Sequence, residues 1–185
     1  MSDVLKSLQS RNSAPRLVAP APSREQLDEL LQAALRAPDH AWLRPWRFIA
    51  IEGERRDDFG EVLERCLRRR DPAADTSARE KARQAPLRAP LVLVVVARLQ
   101  EHPKVPADEQ RLSTGCAAHA ILLAAEALGY AGIWRTGNAA FDPFVGSALG
   151  LDSSEEVVAF LYLGTRDGSP KNLPALNPAD FLSHW

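Results

Sequence analysis

This sequence predicts a layered α+β or α/β protein, with helices on both faces of one sheet. Two runs carry that reading, Leu-Val-Leu-Val-Val-Val-Ala at 91–97 and Val-Val-Ala-Phe-Leu-Tyr-Leu at 157–163. Each is apolar throughout, rich in β-branched or aromatic residues and seven residues long. A strand of that kind has no polar face to give to water, so it must be covered on both sides. Helix-periodic segments alternate with about four strand-like runs, which is the pattern of a sheet between helical layers. No repeat, low-complexity tract or long linker divides the chain, so residues 1–185 are expected to form one domain.

The elements follow in order. Residues 3–10 place Val4, Leu5 and Leu8 on one side of a short helix, and residues 11–16 break it. Ser23 is an N-cap with Gln26 three residues on, the spacing of a capping box. Leu27, Leu30, Leu31, Ala34 and Leu35 then repeat at helical spacing until Pro38. Residues 46–52 read as a strand ended by Gly53, 55–70 as a helix with a charged outer face, 71–77 as a loop and 78–85 as a second short helix. After the buried run at 91–97, a long helix spans roughly 107–128. Asp108 and Glu109 sit in its first turn, where the helix dipole favours them, and Gly129 is its stop. Residues 131–136 form a short strand. Asp142 and Pro143 are an N-cap and a Pro at the first helical position, opening a helix that ends at Gly150. Beyond Gly164 the chain is rich in Gly, Pro and Asn.

Bulk properties exclude several classes. The 185 residues carry a net charge of -1, with 45% hydrophobic and 25% charged residues. That is globular composition without a field for nucleic acid or an acidic membrane. The two cysteines, Cys66 and Cys116, make no disulfide framework, and with four histidines they show no metal-ligand spacing. No apolar run approaches the roughly 18 residues of a membrane span. The N-terminal residues lack the apolar core of a signal peptide. The expectation is a cytoplasmic protein with no nucleic-acid, membrane or metal partner.

Three polar constellations stand out. Arg11, Asn12 and Ser13 join a guanidinium to a hydroxyl and free backbone N–H groups, which suits a phosphate. The triplet is also what a plain helix end with a solvated Arg looks like. The second, residues 36–48, packs Arg36, Asp39, His40, Trp42, Arg44 and Trp46 into one short connection. Aromatic surface and Arg forks suit a flat anionic ligand. Trp46 and Phe48 within it read as strand and core, Arg36 and His40 as candidates for polar contacts. The third is Trp134, Arg135 and Thr136, where a strand ends, since ligands commonly sit off strand ends. Cys116 and His119 lie in an alanine-rich helix and read as packing or interface. The basic run at 65–70 is flanked by Glu61, Glu64 and Asp71 and reads as a solvated face. No G-x-G-x-x-G follows a strand and no phosphate-loop motif is present.

Taken in order, these pieces resemble the nitroreductase family of flavoproteins, and in particular its small bacterial YdjA-like branch. The resemblance runs through R-x-S-A-x-R-L (11–17), R-A-P-D-H (36–40), P-W-R-F (45–48), H-x-K-V-P-x-x-E-Q (102–110), G-C-A (115–117), G-I-W-R-T-G (132–137) and F-L-Y-L-G-T (160–165). It implies an α+β fold with a central, mostly antiparallel sheet flanked by helices, in an intertwined homodimer with FMN where the subunits meet. It implies that Arg11, Asn12 and Ser13 hold the phosphate and ribityl region of FMN. Arg36 and His40 would reach the flavin from the other subunit, and Trp134, Arg135 and Thr136 would complete the site. Relatives often carry a second Arg at the place of Asn12 and Gln at the place of Arg44. The resemblance further implies an NAD(P)H oxidoreductase that reduces nitroaromatic or quinone-like acceptors by ping-pong hydride transfer. The flavin carries that chemistry, and no side chain is singled out as a catalytic acid, base or nucleophile. A flavin-binding dimer without turnover, serving as a store or sensor, and another flavin chemistry such as reductive dehalogenation remain open alternatives.

Overall fold

A computed structural model describes residues 3–185. It contains six α-helices and five β-strands: α1 Asp3–Ser10, β1 Leu17–Val18, α2 Arg24–Ala34, β2 Trp46–Glu52, α3 Arg55–Arg70, α4 Thr76–Arg83, β3 Leu91–Arg98, α5 Ala107–Ala127, β4 Ala131–Arg135, α6 Pro143–Ala148 and β5 Glu155–Arg166. Strand β5 is the hub of the sheet, pairing with β3, with β4 and, through Arg166 and Thr165, with β1, while β2 pairs with β3. Every one of these pairings is antiparallel. The expected α+β architecture with a central antiparallel sheet is therefore observed, and no helix among the described residues is long and apolar enough to cross a membrane.

The two apolar strands divide their side chains between two cores. Leu91, Leu93 and Val95 of β3 join Ala159, Leu161 and Leu163 of β5 under α2 and α5. Val92, Val94 and Val96 join Val157, Phe160 and Tyr162 on the opposite face, against α3 and α6. Alternation along each strand makes this division, and a bulge opposite Val95 and Val96 resets it in β5, so that Val157 and Ala159 fall on opposite faces. Trp46 and Phe48 of β2 fall on the α5 side, as expected for core, and Ile49 and Ile51 fall on the other. Helix α5 approaches the sheet closely because Ala117, Ala118 and Ala125 are fully buried and add little bulk.

Local chemistry sets the boundaries. Ser23 Oγ accepts from Gln26 N, and Gln26 Oε1 accepts from Ser23 N, closing the capping box of α2. Tyr130 Oη also donates to Gln26 Oε1 at 2.7 Å, tying the start of α2 to the entry of β4. Helix α4 starts two residues earlier than its apolar pattern suggests, because Asp75 Oδ1 accepts from Ala78 N at 2.7 Å and caps it. The two-residue β1 has no signature of its own and exists because the end of β5 supplies partners. Strand β5 is longer than its apolar run. Its first residues, Glu155 and Glu156, are charged and lie in the ladder because each meets an arginine. Arg47 Nε and Nη2 both reach the Glu155 carboxylate at 2.6 Å. Arg111 Nε and Nη2 reach Glu156 at 2.8 and 2.7 Å.

The Arg47–Glu155 pair is the better shielded, since only 6% of the Glu155 side chain is exposed. Hydrogen bonds from Arg47 hold the Glu155 carboxyl below its ordinary range, against the opposing pull of burial. A carboxyl lowered in the folded state stabilises the protein above its unfolded value, and that contribution disappears as pH falls through the folded value. Arg47→Met is expected to cost about 2 kcal/mol at neutral pH. The deficit should shrink toward zero as the pH drops below about 4, where unfolded carboxyls also protonate. Urea titrations of both proteins across this range check it. A second constraint is steric. A Cβ at Gly60 of α3 would stand 2.2 Å from the backbone oxygen of Arg83 at the end of α4. Gly60→Ala should therefore push α4 off α3 and lower stability by roughly 1–3 kcal/mol, read from the thermal midpoint.

Candidate functional site

The segment after α1 is anchored to β4. Ala14 N donates to Gly132 O at 3.0 Å, so residues 11–13 run beside the first residues of that strand. Asn12 is 7% exposed and fully engaged. Its backbone N donates to Glu126 Oε1, and its carbonyl accepts from Arg166 Nη2 at 2.8 Å. Its side-chain Nδ2 donates to Lys171 O at 2.6 Å, and its Oδ1 accepts from Lys171 N at 3.4 Å. The amide therefore clips the chain beyond β5 onto this segment, which a second arginine could not do in the same way. Arg11 Nη1 donates to Ser13 Oγ at 3.3 Å. These two side chains converge and keep donors to spare, because a guanidinium has five N–H groups.

Strand β4 ends in the constellation of Trp134, Arg135 and Thr136, and its pleat sends neighbours to opposite faces. Trp134 lies toward α5, close enough that a Cβ at Gly115 would be 3.8 Å from its ring. Arg135 lies on the other face, with its guanidinium carbon 5.6 Å from the centre of the Tyr162 ring. Gly137 then turns the chain at φ 69°, a conformation that side chains resist. A cavity of about 520 Å³ opens here between α3, the 3₁₀ turn Ala85–Arg88, the end of β4 and the middle of β5. Trp134, Arg135 and Thr136 all line it. Its floor is aromatic, with Phe59 and Phe160 rings 5.6 Å apart and Tyr162 beside them. Arg135 Nε is buried without a hydrogen-bond partner. Burial pushes the Tyr162 hydroxyl up, opposed by the charges of Arg135 and Arg88. Cys66 also borders the cavity, but burial and its contact with Asp142 Oδ2 at 3.2 Å push its thiol up to about 11. It remains a thiol at neutral pH and is no nucleophile.

The constellation at residues 36–48 holds a strained turn. Ala41, Trp42 and Arg44 all have positive φ, at 61°, 56° and 48°. Non-glycine residues in this region cost about 1–2 kcal/mol each, so surrounding bonds must hold them. Asp39 does most of this: Oδ1 accepts from Leu43 N at 3.1 Å and Oδ2 from Arg44 N at 2.9 Å. Gln100 Nε2 donates to Leu43 O, Ser113 Oγ to Pro38 O, and Thr114 Oγ1 lies 2.8 Å from Pro45 O. Gln110, 1% exposed, satisfies its whole amide on Gln100 and Val105 and fixes the approach to α5. Trp42, 78% exposed, is left on the outside with Arg44 over its ring at 6.0 Å. His40 Nδ1 lies 2.8 Å from Glu109 Oε2. Arg36 borders a groove of about 830 Å³ along α2 and α5, together with Leu112, Cys116, His119 and Trp134.

Residues 11–13 thus lead into Ala14, which is bonded near the start of β4, while residues 134–136 lie at and just beyond its end, and Arg36 and Trp134 border one groove. His40 lines a separate hollow near Glu109 and does not share the Arg135 cavity within this subunit. Asp39, Glu109, Gln110, Ser113 and Thr114 were not singled out as site residues by spacing. An Asx residue just after Pro38 was the one available sign that a side chain would cap this turn.

An antiparallel sheet between two helical layers, with cationic and aromatic side chains where β4 ends, is the architecture of nitroreductase-like proteins. The chain superposes on a nitroreductase-like family protein from Bacillus cereus with a TM-score of 0.84, at 20% identity and covering 100% and 97% of the two chains. It superposes on a nitroreductase with bound FMN from Bacteroides fragilis NCTC 9343 with a TM-score of 0.77, at 22% identity and covering 100% of both. These likenesses speak to the fold. The chain belongs to the nitroreductase family of oxidoreductases, whose model matches residues 8–165. It is 44% identical over 186 aligned positions to the protein named "Putative NAD(P)H nitroreductase YdjA" of Escherichia coli (strain K12), covering 99% of this chain and 100% of that one. A protein named "Putative NAD(P)H nitroreductase" of Haemophilus influenzae (strain ATCC 51907 / DSM 11121 / KW20 / Rd) is 34% identical, covering 98% and 99%.

Asn12→Ala removes both amide contacts to Lys171. Residues 167–185 should then exchange backbone amides faster and be cut sooner by protease. Global stability should fall by no more than about 1–2 kcal/mol, since only a local clip is lost. Hydrogen exchange resolved by peptide, beside a denaturant titration, checks both halves.

Proposed function

We propose that this chain is an FMN-dependent NAD(P)H oxidoreductase that reduces small electron-poor acceptors, nitroaromatic or quinone-like, by ping-pong hydride transfer in a homodimer. One observation carries the reading: the phosphate-type donors of residues 11–13 and the cavity lined by residues 134–136 adjoin the same short strand. Gly132, where Ala14 is bonded, lies three residue steps along the strand from Arg135, a span of about 10 Å. A phosphate at one end and a flat ring at the other fit that span.

The residues present fit the cofactor. Arg11 and Ser13 offer a guanidinium and a hydroxyl for a phosphate. Arg135 has an unpartnered buried N–H, and Phe59, Phe160 and Tyr162 supply an apolar, aromatic floor. When bound, FMN would accept a hydride from NAD(P)H and pass it to the acceptor after the nicotinamide has left. The protein's part is to hold the phosphate with Arg11 and Ser13, to orient the ring with the strand end at Trp134 and Thr136, and to exclude water with the aromatic floor. Asn12 contributes by holding its neighbours in place through Lys171 and Glu126.

The homodimer is supported by the groove on α2 and α5. Leu112 is 70% exposed there, and the groove around it is apolar. A second subunit covering this face would bring its own Arg36 and His40 toward the flavin, from the outer turn on which they stand apart from the Arg135 cavity. Arg44 and Trp42 lie on the same exposed turn.

Purified protein should show the yellow flavin spectrum, and adding NADH or NADPH without oxygen should bleach it within seconds. Flavin that neither nucleotide reduces would leave a binding protein without turnover. Protein that takes up no FMN would sink the reading. Arg11→Ala should lower the flavin content of the purified protein at least tenfold, the order expected for one charge-assisted phosphate contact. Undiminished flavin in that variant would move the phosphate elsewhere.

A further inference from the structure

The cavity beside β4 carries more positive charge than the candidate residues alone account for. Besides Arg135 it is lined by Arg70, the last residue of α3, and by Arg88 of the 3₁₀ turn that leads into β3. Three guanidinium-bearing residues therefore border one cavity of about 520 Å³. Among the described residues none of the three makes an ion pair with a carboxylate. This is unlike Arg47 and Arg111, which are neutralised by Glu155 and Glu156. Asp142 feels the charge of Arg70, but its carboxylate is occupied by Cys66 Sγ and by Phe144 N. Glu61 is turned to Arg83. Among the described residues no carboxylate lines the cavity.

Like charges gathered around an apolar floor repel one another, and the fold gains nothing from them without a counter-charge. The α2–α5 groove gives the contrast. It holds Arg36 and Arg111, but Arg111 is bound by Asp108 and Glu156, leaving Arg36 as its one unpaired guanidinium. The unpaired positive charge thus gathers on the Arg135 side of β4. The aromatic floor limits the ligand to something flat, and the guanidinium rim calls for electron-rich oxygens and nitrogens or for negative charge.

We infer that Arg70 and Arg88 act with Arg135 as positioning residues around the redox ring of the flavin, stabilising the negative charge the ring gains on reduction and so raising its potential. The inference rests on the FMN reading above and assigns to that site two arginines that no motif singled out. Their effect falls on the affinity for reduced flavin more than on the affinity for oxidised flavin.

Both side chains are exposed and make no hydrogen bond among the described residues, so their replacement leaves the fold intact. The test uses the full-length protein with FMN and the double variant Arg70→Gln/Arg88→Gln. Dissociation constants for oxidised FMN come from quenching of flavin fluorescence, and midpoint potentials from dye-coupled titration. The expected result is oxidised FMN bound within about threefold of wild type, with reduced FMN weakened tenfold or more. For a two-electron couple a tenfold change in the ratio of the two affinities corresponds to about 30 mV, so a tenfold loss for reduced flavin against at most a threefold loss for oxidised flavin should lower the potential by at least about 15 mV. Arg70→Lys/Arg88→Lys should restore most of the shift, because charge rather than shape is at work. Arg68→Gln, on the same helix but outside the cavity lining, should leave the potential where it was. Wild-type protein that binds FMN while the double Gln variant keeps the wild-type potential overturns this inference and leaves the FMN reading standing. An equal loss of affinity for oxidised and reduced flavin also overturns it, since the two arginines would then serve binding alone. Wild-type protein that binds no FMN overturns both.

Discussion

Strand β5 is the constraint on which the rest of this structure depends. It is paired along both edges, with β3 on one side and β4 on the other, and its far end recruits β1. A strand hydrogen-bonded on both edges and apolar on both faces has no surface left for water. Helices must cover it above and below, and α2 with α5 and α3 with α6 do so. Because β5 serves three partners, its register also decides where β4 ends. Arg135 is set opposite Phe160, next to Tyr162, by that pairing and not by any preference of its own.

The site is a consequence of this edge. Strand β4 is short and twisted out of the core at Gly137, so its last side chains are delivered to two faces instead of being buried. Trp134 goes to the apolar groove on α5 and Arg135 to the cationic cavity beneath α3. One strand end therefore joins two chemically different surfaces. The backbone bond from Ala14 to Gly132 adds a third element, the donor-bearing segment after α1. Asn12 then secures that segment to the chain beyond β5, in place of adding charge.

Charge placement follows a consistent division. Where arginines support the fold they are matched, as Arg47 is with Glu155 and Arg111 with Glu156 and Asp108. Where they border the cavity they are unmatched. The turn at residues 39–44 shows a similar division for strain. Three left-handed residues are imposed on an exposed turn, and Asp39, Gln100, Ser113 and Thr114 hold them there. Strain held by the turn's own Asp39 and by bonds from two other segments is a built feature, and it keeps Trp42, Arg44 and His40 facing outward.

The sequence by itself determined the layers. Two runs without a polar face could only be central strands, and Ser23, Asp142 and the run of alanines in α5 announced their roles through local chemistry that needs no partner. The ordered motifs likewise identified the family. What the sequence could not show was anything that depends on a partner far along the chain. Strand β1 exists only beside Arg166, the ends of β5 are charged residues made strand-like by distant arginines, and α4 starts where Asp75 caps it. The same holds for the site. Arg11, Ser13, Trp134 and Arg135 stand out as candidates in the sequence because their residue types cluster in short motifs. Arg70 and Arg88 were not, since one sits in a run that reads as solvated surface and the other in a turn. Their significance comes from facing one cavity without a carboxylate, and only the packing of α3 against the sheet decides which side chains share a cavity.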